Sequence, residues 1–336
     1  MYQPNSSSQA LLSVRNLRIE FPTRHGTLVA VDDISFDIAP GEILGVVGES
    51  GAGKSLTGAA IIGLLEPPGR IAQGEIILEG RRIDNLPYEE LRRIRGRRIG
   101  AIFQDPLTSL NPLYSISRQL VETIQTHLPL NDREARARAL ELLGEVGIPG
   151  AAERIDHYPH QFSGGMRQRV VIALALCAEP RLIIADEPTT ALDVTIQAQI
   201  LELMKQLQED EGTAIIFITH DLGVVANICN RVMVMYGGRI VEEARTVDLF
   251  AKPRHPYSMG LLRSALRWDQ DTGEELKVIE GQPPDMIALP PGCAFEPRCP
   301  YAEAGCGEQL PPLVTLDDSR RHACLVDIDS SSSKGF

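Results

Sequence analysis

Short, continuous apolar runs alternate with segments of helical periodicity from residue 11 to about residue 250. Three of these runs are each followed by polar residues, namely Ile43–Val47, Leu182–Ala185 and Ala214–Thr219. Uninterrupted apolar runs of this length are typical of strands that are covered on both faces of a parallel sheet. The pattern therefore predicts an α/β domain over residues 11–250, with polar, chemistry-bearing segments at strand ends.

Helical periodicity marks two further parts of this span. Between the second and third apolar runs, Ile196, Ile200, Leu203 and Leu207 recur at helical spacing, which predicts a crossover helix packed on the sheet. Residues from about 107 to about 175 are rich in helix formers, and Arg133–Val146 is predicted to be one amphipathic helix. We therefore expect a helical subdomain inserted in the α/β core.

The composition changes after residue 250. Prolines become frequent, and four of the six cysteines lie in this part of the chain. The change predicts a small, loop-rich C-terminal domain over residues 251–328. Residues 329–336 contain few apolar side chains and are predicted to form a disordered tail.

Composition and charge limit the classes of protein to consider. Hydrophobic residues make up 43% and charged residues 23%, as in an ordinary globular protein. The net charge of −12 argues against a nucleic acid as the main partner, because the phosphate backbone requires a basic surface. The arginine-rich run Arg81–Arg98 is interrupted by acidic residues, so we interpret it as a solvated helix face.

No apolar run reaches 18 residues, so the sequence predicts no membrane-spanning helix. The first nine residues are polar and lack the basic and apolar pattern of a secretory signal. We therefore expect a cytosolic chain without disulfides.

A phosphate-binding loop follows the first apolar run. The G-x-x-x-x-G-K-S pattern is formed by Gly48, Glu49, Ser50, Gly51, Ala52, Gly53, Lys54 and Ser55, between a predicted strand and a predicted helix. The glycines let successive N–H groups face phosphates, and the helix adds its positive end. Lys54 is predicted to reach the β and γ phosphates and Ser55 to bind Mg²⁺, with Leu56 completing the nucleotide-binding segment.

Two carboxylates follow the second apolar run. Asp186 is predicted to hold Mg²⁺, and Glu187 to accept a proton from the attacking water or to orient it. By themselves, two acidic residues at a strand end mark an ordinary polar strand end about as often as a catalytic site. Beside a phosphate-binding loop, they indicate a hydrolytic ATP site.

A short Ser-Gly-Gly loop separates the branches of such ATPases. Ser163, Gly164, Gly165 and Met166 precede the apolar helical run Val170–Ala178, and here the sequence resembles the ABC ATPase family. Small residues at a helix N-terminus let backbone donors approach a γ-phosphate. The resemblance covers essentially the whole chain and implies a P-loop ABC ATPase core with an inserted helical subdomain and an antiparallel β-subdomain.

The same resemblance implies roles for further residues. Gln104 matches the glutamine that senses Mg²⁺ and water, and His220 matches the switch histidine near the γ-phosphate. Asp193, with Ser163 to Met166, matches the elements that act in the partner's ATP site. Phe21 occupies the place of an adenine-stacking aromatic, although a core position is an equally good interpretation. The resemblance also implies that a head-to-tail dimer forms each complete ATP site. Met166 stands at the position of the Ser-Gly-Gly loop where the family more usually has glutamine.

The cysteine spacing leaves the C-terminal chemistry open. Cys293, Cys299, Cys306 and Cys324 are separated by five, six and seventeen residues, which is neither the usual zinc pairing nor the ferredoxin run. This region, with Phe103–Pro112, resembles the ATPases of dipeptide and oligopeptide importers. The resemblance implies a [4Fe-4S] cluster on the four cysteines, with zinc or free thiols as alternatives. Cys177 and Cys229 lie in apolar segments and are predicted to be packing residues.

The resemblance implies an ATPase subunit of an importer for di- or oligopeptides, peripheral at the cytoplasmic face of the membrane. Its implied partners are a homologous second ATPase subunit, two permease subunits and an extracytoplasmic solute-binding protein. The alternative is a soluble ABC ATPase acting on nucleic acid or ribosomes, which usually carries long coiled coils or a second cassette. The sequence contains neither feature. An iron–sulfur electron carrier would leave the nucleotide motifs unused.

Overall fold

The computed structural model describes residues 10–24, 26–190, 192–264, 279–317 and 319–328, and the predicted tail at 329–336 lies outside them. The strands are β1 (Leu12–Thr23), β2 (Gly26–Ile38), β3 (Ile43–Val47), β4 (Arg70–Leu78), β5 (Arg81–Arg82), β6 (Ile99–Ile102), β7 (Leu182–Asp186), β8 (Ala214–Ile218), β9 (Arg231–Tyr236), β10 (Arg239–Arg245), β11 (Val314–Asp317) and β12 (Arg320–His322). The helices are α1 (Lys54–Ile61), α2 (Tyr88–Ile94), α3 (Pro106–Ser109), α4 (Ile116–His127), α5 (Asp132–Glu145), α6 (Ala151–Arg154), α7 (Gly164–Leu176), α8 (Val194–Glu211), α9 (Leu222–Ile228), α10 (Thr246–Ala251) and α11 (Pro256–Ser264). Short 3-10 turns lie at Pro159–Gln161 and Glu296–Arg298.

The chain divides into two compact units, and the first contains residues Met1–Ala39, Ile43–Asp84 and Ile218–Phe336. Its antiparallel sheet has the strand order β2-β1-β4-β5. Its other strands follow the order β11-β12-β10-β9-β3, with β3 parallel to β9. The short C-terminal strands therefore extend the edge of the strand array that contains β3.

Burial follows the two hydrophobic patterns. Strand β1 alternates on either side of an irregularity at Arg15–Asn16, with Leu12 and Val14 fully buried before it and Leu17 and Ile19 after it. Strand β3 is buried at every position. The first pattern belongs to a sheet with one covered face and the second to a strand covered on both faces.

The second unit contains residues Pro40–Glu42 and Asn85–Phe217, so strand β8 begins here and its last residue belongs to the first unit. Its strands follow the order β8-β7-β6, with β6 and β7 parallel. Helices α3 to α7 form its helical part, in which α5 is closed by a capping box between Asn131 and Glu134. Side chains at the helical faces, such as Leu120, Ile124 and Leu142, are buried.

The structure confirms the three predicted apolar strands as β3, β7 and β8 and the predicted crossover helix as α8. The predicted helix at Arg133–Val146 is α5, displaced by one residue at each end. Our interpretation of Arg81–Arg98 as one helix face was wrong in part, because only Tyr88–Ile94 is helical. Arg81 and Arg82 pair with the end of β4 instead. Within the described residues, no helix combines the length and apolarity that crossing a membrane requires.

Candidate ATP site

The loop between β3 and α1 requires glycine at two positions. Gly48 has a φ of 151°, and an added Cβ would lie 2.2 Å from the Met235 carbonyl oxygen. Gly53 has a φ of 97° and caps α1, and its added Cβ would lie 2.8 Å from the Ala30 carbonyl oxygen. Any side chain at either position would displace backbone. The two glycines therefore fix the path of the loop.

Lys54 and Ser55 begin helix α1. The Lys54 side chain is buried, and its Nζ donates to the carbonyl oxygens of Gly48 and Glu49 at 2.7 and 2.9 Å. Ser55 is exposed in the first helical turn. No side chain caps α1. A lysine, a hydroxyl and an uncapped helix N-terminus thus meet at one loop, which is the chemistry of a polyphosphate site.

Glu49 is fixed by residues that are distant in sequence. Its carboxylate is bound by Arg298, and its backbone N–H donates to Tyr257 Oη at 2.7 Å. The Glu49 amide is therefore directed at Tyr257 rather than into the loop. Sequence patterns did not indicate this, because the partners lie 208 and 249 residues further along the chain.

His220 lies in the first unit, just after the end of β8. The backbone before it is fixed by a hydrogen bond from Thr219 N–H to the Val46 carbonyl oxygen at 3.2 Å. The backbone after it is fixed by Asp221, which caps α9 through the amides of Gly223 and Val224. His220 itself is exposed. A histidine whose flanking residues are tied to β3 and α9 has a defined position beside the strand that leads into the loop.

Phe21 lies near the end of β1, where it pairs with Leu28 of β2. It is half-buried, and its ring packs so closely on Gly69 that an added Cβ there would lie 2.6 Å from Phe21 Cε1. This contact agrees with a packing role and leaves part of the ring accessible.

The second unit holds the predicted catalytic carboxylate. Asp186 ends β7, and Glu187 follows with a φ of 47°, an unusual conformation for a residue with a side chain. Glu187 Oε2 accepts hydrogen bonds from Gln104 Nε2 at 2.8 Å and from Thr190 Oγ1 at 2.9 Å. The structure thus brings together Gln104 and Glu187, two of the predicted site residues, and adds Thr190, which the sequence did not indicate.

The Ser-Gly-Gly loop begins helix α7. Ser163 caps this helix by accepting from Met166 N–H at 3.3 Å, and it is exposed, as is Gly164. Behind it, the buried Gln168 donates to the Pro188 carbonyl oxygen at 2.7 Å, next to the catalytic carboxylate segment. Asp193 is likewise exposed and caps α8 through Ile196 N–H. Helices α7 and α8 therefore each begin at an exposed capping residue.

The four C-terminal cysteines lie close to one another. Cys306 belongs to a small buried cluster with Tyr301 and Val326, against which Cys299 and Cys324 pack. The Cys293 amide donates to the Cys306 carbonyl oxygen at 2.7 Å. Burial raises the pKa of Cys299 to about 12 and that of Cys324 to about 11, and neighbouring thiols of the set contribute to both increases. The cysteines therefore form one half-buried thiol group.

The donor chemistry of this group fits a soft metal or cluster. Backbone amides of Tyr301 and Val326 hydrogen-bond the thiols of Cys299 and Cys324 and so act to lower their pKa, as amides around metal thiolates do. Among the residues that the structure describes, however, no group of three or more His, Cys, Asp or Glu side chains is arranged to hold a metal ion. Cys177 and Cys229 are buried in the core, as predicted.

Comparisons with known proteins show the family. Residues 31–190 match the ABC transporter family, and residues 241–306 match the oligopeptide/dipeptide transporter C-terminal region. The chain is 48% identical over 327 residues to the oligopeptide transport ATP-binding protein OppD of Salmonella typhimurium, covering 97% of both chains. It is 51% identical over 310 residues to OppD of Bacillus subtilis, covering 92% of this chain and 87% of the relative.

Solved structures show the same fold. The dimeric post-hydrolysis structure of the ATP-binding cassette MJ0796, bound to ADP and phosphate, matches with a TM-score of 0.64 at 29% identity, over 70% of this chain and 98% of that one. CbiO1 from Clostridium perfringens, part of an ABC transporter complex, matches with a TM-score of 0.62 at 30% identity, over 73% of this chain and 92% of that one. The ATPase motifs, the cassette fold and the C-terminal region all lead to one assignment: this chain belongs to the ABC transporter family, as an ATP-hydrolysing subunit that carries the C-terminal region of oligopeptide/dipeptide transporters.

Proposed function

We propose that this chain hydrolyses ATP to drive the import of di- or oligopeptides. The observation that carries the proposal is similarity over 97% of both chains to a protein named for oligopeptide transport, with the cysteine-containing region included. The solved ATP-binding cassettes cover 70 to 73% of this chain. The match to the oligopeptide/dipeptide transporter C-terminal region is separate from the match to the ABC transporter family. The C-terminal region is therefore the part of the sequence that relates this ATPase to peptide transporters.

Each subunit supplies one half of an ATP site. Gly48 to Leu56 bind the phosphates, with Lys54 turning from the loop carbonyls to the β and γ phosphates. Ser55, Asp186 and Gln104 would hold Mg²⁺, since hydroxyl, carboxylate and amide oxygens suit this hard cation, which would supply charge neutralisation to the triphosphate. The accessible part of the Phe21 ring stacks on the adenine.

Glu187 accepts the proton of the attacking water or orients that water, and Gln104 and Thr190 hold its carboxylate in place. His220 contacts the γ-phosphate from the end of β8. The other half of the site comes from a second ATPase subunit through Ser163 to Met166 and Asp193. ATP then closes the pair and hydrolysis opens it, because only the triphosphate is bound by both subunits.

The partners follow from this role. The second ATPase subunit is a homologue of this chain, two permease subunits form the membrane passage, and an extracytoplasmic binding protein delivers the solute. The chain then lies at the cytoplasmic face of the membrane. Action on nucleic acid or ribosomes is disfavoured by the net charge of −12.

The test is reconstitution of the assembled transporter in proteoliposomes. Binding protein loaded with a peptide mixture should stimulate ATP hydrolysis and carry labelled peptide inward. Binding protein without peptide, and sugar or nickel-chelate solutes, are the controls. Stimulation by such a solute and not by peptides would contradict the assignment of the cargo. Hydrolysis that responds to RNA or ribosomes alone would favour the soluble alternative.

We propose that the four C-terminal cysteines would hold a [4Fe-4S] cluster, with zinc as the alternative, in a structural role. A small region with little core gains stability from such a group. Metal analysis and electron paramagnetic resonance of anaerobically purified, dithionite-reduced protein separate iron from zinc. Cys299→Ser should remove the metal, whereas Cys177→Ala should retain it. Full-length protein that contains neither metal in stoichiometric amount would leave the thiols free and refute the cluster.

A further inference from the structure

One guanidinium binds both oxygens of a carboxylate within the phosphate-binding loop. Arg298 Nη1 lies 2.7 Å from Glu49 Oε2, and Nη2 lies 3.0 Å from Oε1. The Arg298 side chain is only 6% exposed, and that of Glu49 is 26% exposed. A two-point pair that is largely removed from water fixes orientation as well as charge.

Arg298 is in turn fixed by the C-terminal region. Its Nε and Nη2 donate to the carbonyl oxygens of Glu280 and Ile279 at 2.9 and 3.2 Å, and Nη1 reaches Tyr236 Oη at 3.2 Å. A guanidinium stays protonated in proteins, so Arg298 compensates the charge of the Glu49 carboxylate. Arg298 lies in the 3-10 turn directly before Cys299. The position of the guanidinium therefore depends on the fold of the cysteine-containing region.

The backbone of Glu49 is held at two further points. Its N–H donates to Tyr257 Oη at 2.7 Å, and its carbonyl oxygen accepts from Lys54 Nζ at 2.9 Å. Tyr257 is fully buried, and its ring lies 4.5 Å from that of Tyr236 and 5.4 Å from that of Phe295 between centroids. A shift of Glu49 would thus be transmitted directly to the lysine that binds phosphate.

A carboxylate in a loop that receives a triphosphate opposes binding unless its charge is compensated. We propose that Arg298 is a positioning residue for ATP, which neutralises Glu49 and fixes the phosphate-binding loop from the C-terminal region. The inference rests on the assignment of Gly48–Ser55 as the phosphate-binding loop. It adds a residue outside the nucleotide motifs that sets the affinity for ATP.

Single and double variants distinguish charge compensation by Arg298 from a purely structural role of the ion pair. In Arg298→Gln the Glu49 carboxylate is left uncompensated, so the KM and the Kd for ATP should rise about 10-fold or more. In the Glu49→Gln background, Arg298→Gln should raise them by less than about 3-fold, because no carboxylate is then left uncompensated. The kcat of the assembled transporter should change less than the KM.

Binding of ATP to the full chain and hydrolysis by the assembled transporter are measured together with the thermal midpoint. Arg321→Gln is the matched control, because Arg321 forms a buried pair with Glu243 and donates to the Ser35 carbonyl oxygen, both of which are outside the loop. It should lower the thermal midpoint without raising the Kd. Arg298→Lys keeps the charge but loses the two-point geometry, and a smaller rise in Kd is expected, which preserves the test if Arg298→Gln does not fold.

Two outcomes would overturn the proposal. One is an unchanged Kd in both Arg298 variants, and the other is a rise in Kd that Glu49→Gln does not reverse. Lys54→Ala distinguishes these from a failure of the loop assignment. If Lys54→Ala bound ATP like the parent, the phosphate-binding loop itself would be wrongly assigned. If it lost ATP while Arg298→Gln did not, only the positioning role would fail.

Discussion

Glu187 combines a strained backbone with a carboxylate that two side chains hold. Its φ of 47° is costly for a residue with a Cβ, and such conformations concentrate at functional sites. Gln104 and Thr190 both donate to the same oxygen, Oε2. The backbone and the donors together direct the carboxylate, as the task of orienting a water molecule requires.

Replacing Glu187 by glutamine should separate hydrolysis from binding. Glu187→Gln keeps the size of the side chain but removes the base, so phosphate release should fall by about 10²-fold or more while ATP still binds. Phosphate release and equilibrium nucleotide binding measure the two effects. Glu209→Gln, which alters an exposed pair with Lys205 on α8, is the control. Equal losses of binding and hydrolysis in Glu187→Gln would contradict its catalytic role.

Gly48→Ala tests the backbone of the loop. The new Cβ would meet the Met235 carbonyl oxygen at 2.2 Å at a φ that alanine avoids, so ATP binding should be lost and the thermal midpoint lowered. Gly144→Ala is the matched control, because Gly144 lies in α5 with no atom within 4 Å of an added Cβ. That change should stabilise the protein by about 0.5–1 kcal/mol. Retention of ATP binding by Gly48→Ala would show that the loop tolerates a different path.

At the residue scale, the sequence predicted the side chains that belong to contiguous motifs. Lys54, Ser55, Asp186 and Glu187 each follow a short, continuous apolar run that indicates a buried strand. Tyr257 and Arg298 were not predicted as parts of the site, because their contacts with Glu49 join distant segments. The hydrophobic pattern of a segment reflects its local structure and does not specify contacts with distant segments.

At the scale of elements, the continuous apolar runs gave strands β3, β7 and β8 with bounds correct to about one residue. Such runs are unambiguous because the flanking glycines and acids end them abruptly. The arginine-rich segment was harder to assign, because charged residues suit an exposed helix face and an exposed strand edge equally well. There, pairing with β4 decided the structure of Arg81 and Arg82.

Two N-caps of similar geometry test whether the end of α7 has a function besides stability. Ser163 and Asn131 each accept from the amide three residues ahead, at 3.3 and 3.1 Å. Ser163→Ala and Asn131→Ala should each cost about 1 kcal/mol of stability. Only Ser163→Ala should also reduce ATP hydrolysis by the assembled transporter, because only that helix end is proposed to contact the partner's nucleotide. Equal hydrolysis by the two variants would contradict the contact.

At the scale of the whole molecule, the order of the chain does not follow the order of the strands. The first unit is built from three separate stretches, and β3 lies beside β9 although nearly two hundred residues separate them in sequence. Hydrophobic periodicity predicts which segments are strands but not which strands are neighbours. The resemblance to a known family supplied the arrangement that the periodicity alone lacks.

His255 links the stability of the first unit to pH. It is fully buried, its Nδ1 accepts from the Tyr257 amide at 3.1 Å, and burial lowers its pKa to about 3. The unfolded chain takes up this proton near the ordinary histidine pKa of about 6.5. At pH values between these two pKa values, the unfolded state binds more protons than the folded state. The contribution of His255 to the free energy of unfolding is therefore fully present above about pH 6.5 and falls with decreasing pH by up to about 1.4 kcal/mol per pH unit.

His255→Gln should flatten this dependence by the contribution of one proton, because all other titrating groups are common to parent and variant. Urea unfolding at pH 7, 6 and 5 measures the slope, with His160→Gln, which removes an exposed histidine, as the matched control. In the folded parent the ring stays neutral over this pH range, so its hydrogen bond from the Tyr257 amide persists. A variant with the same slope as the parent would show that His255 is not the group that titrates on unfolding.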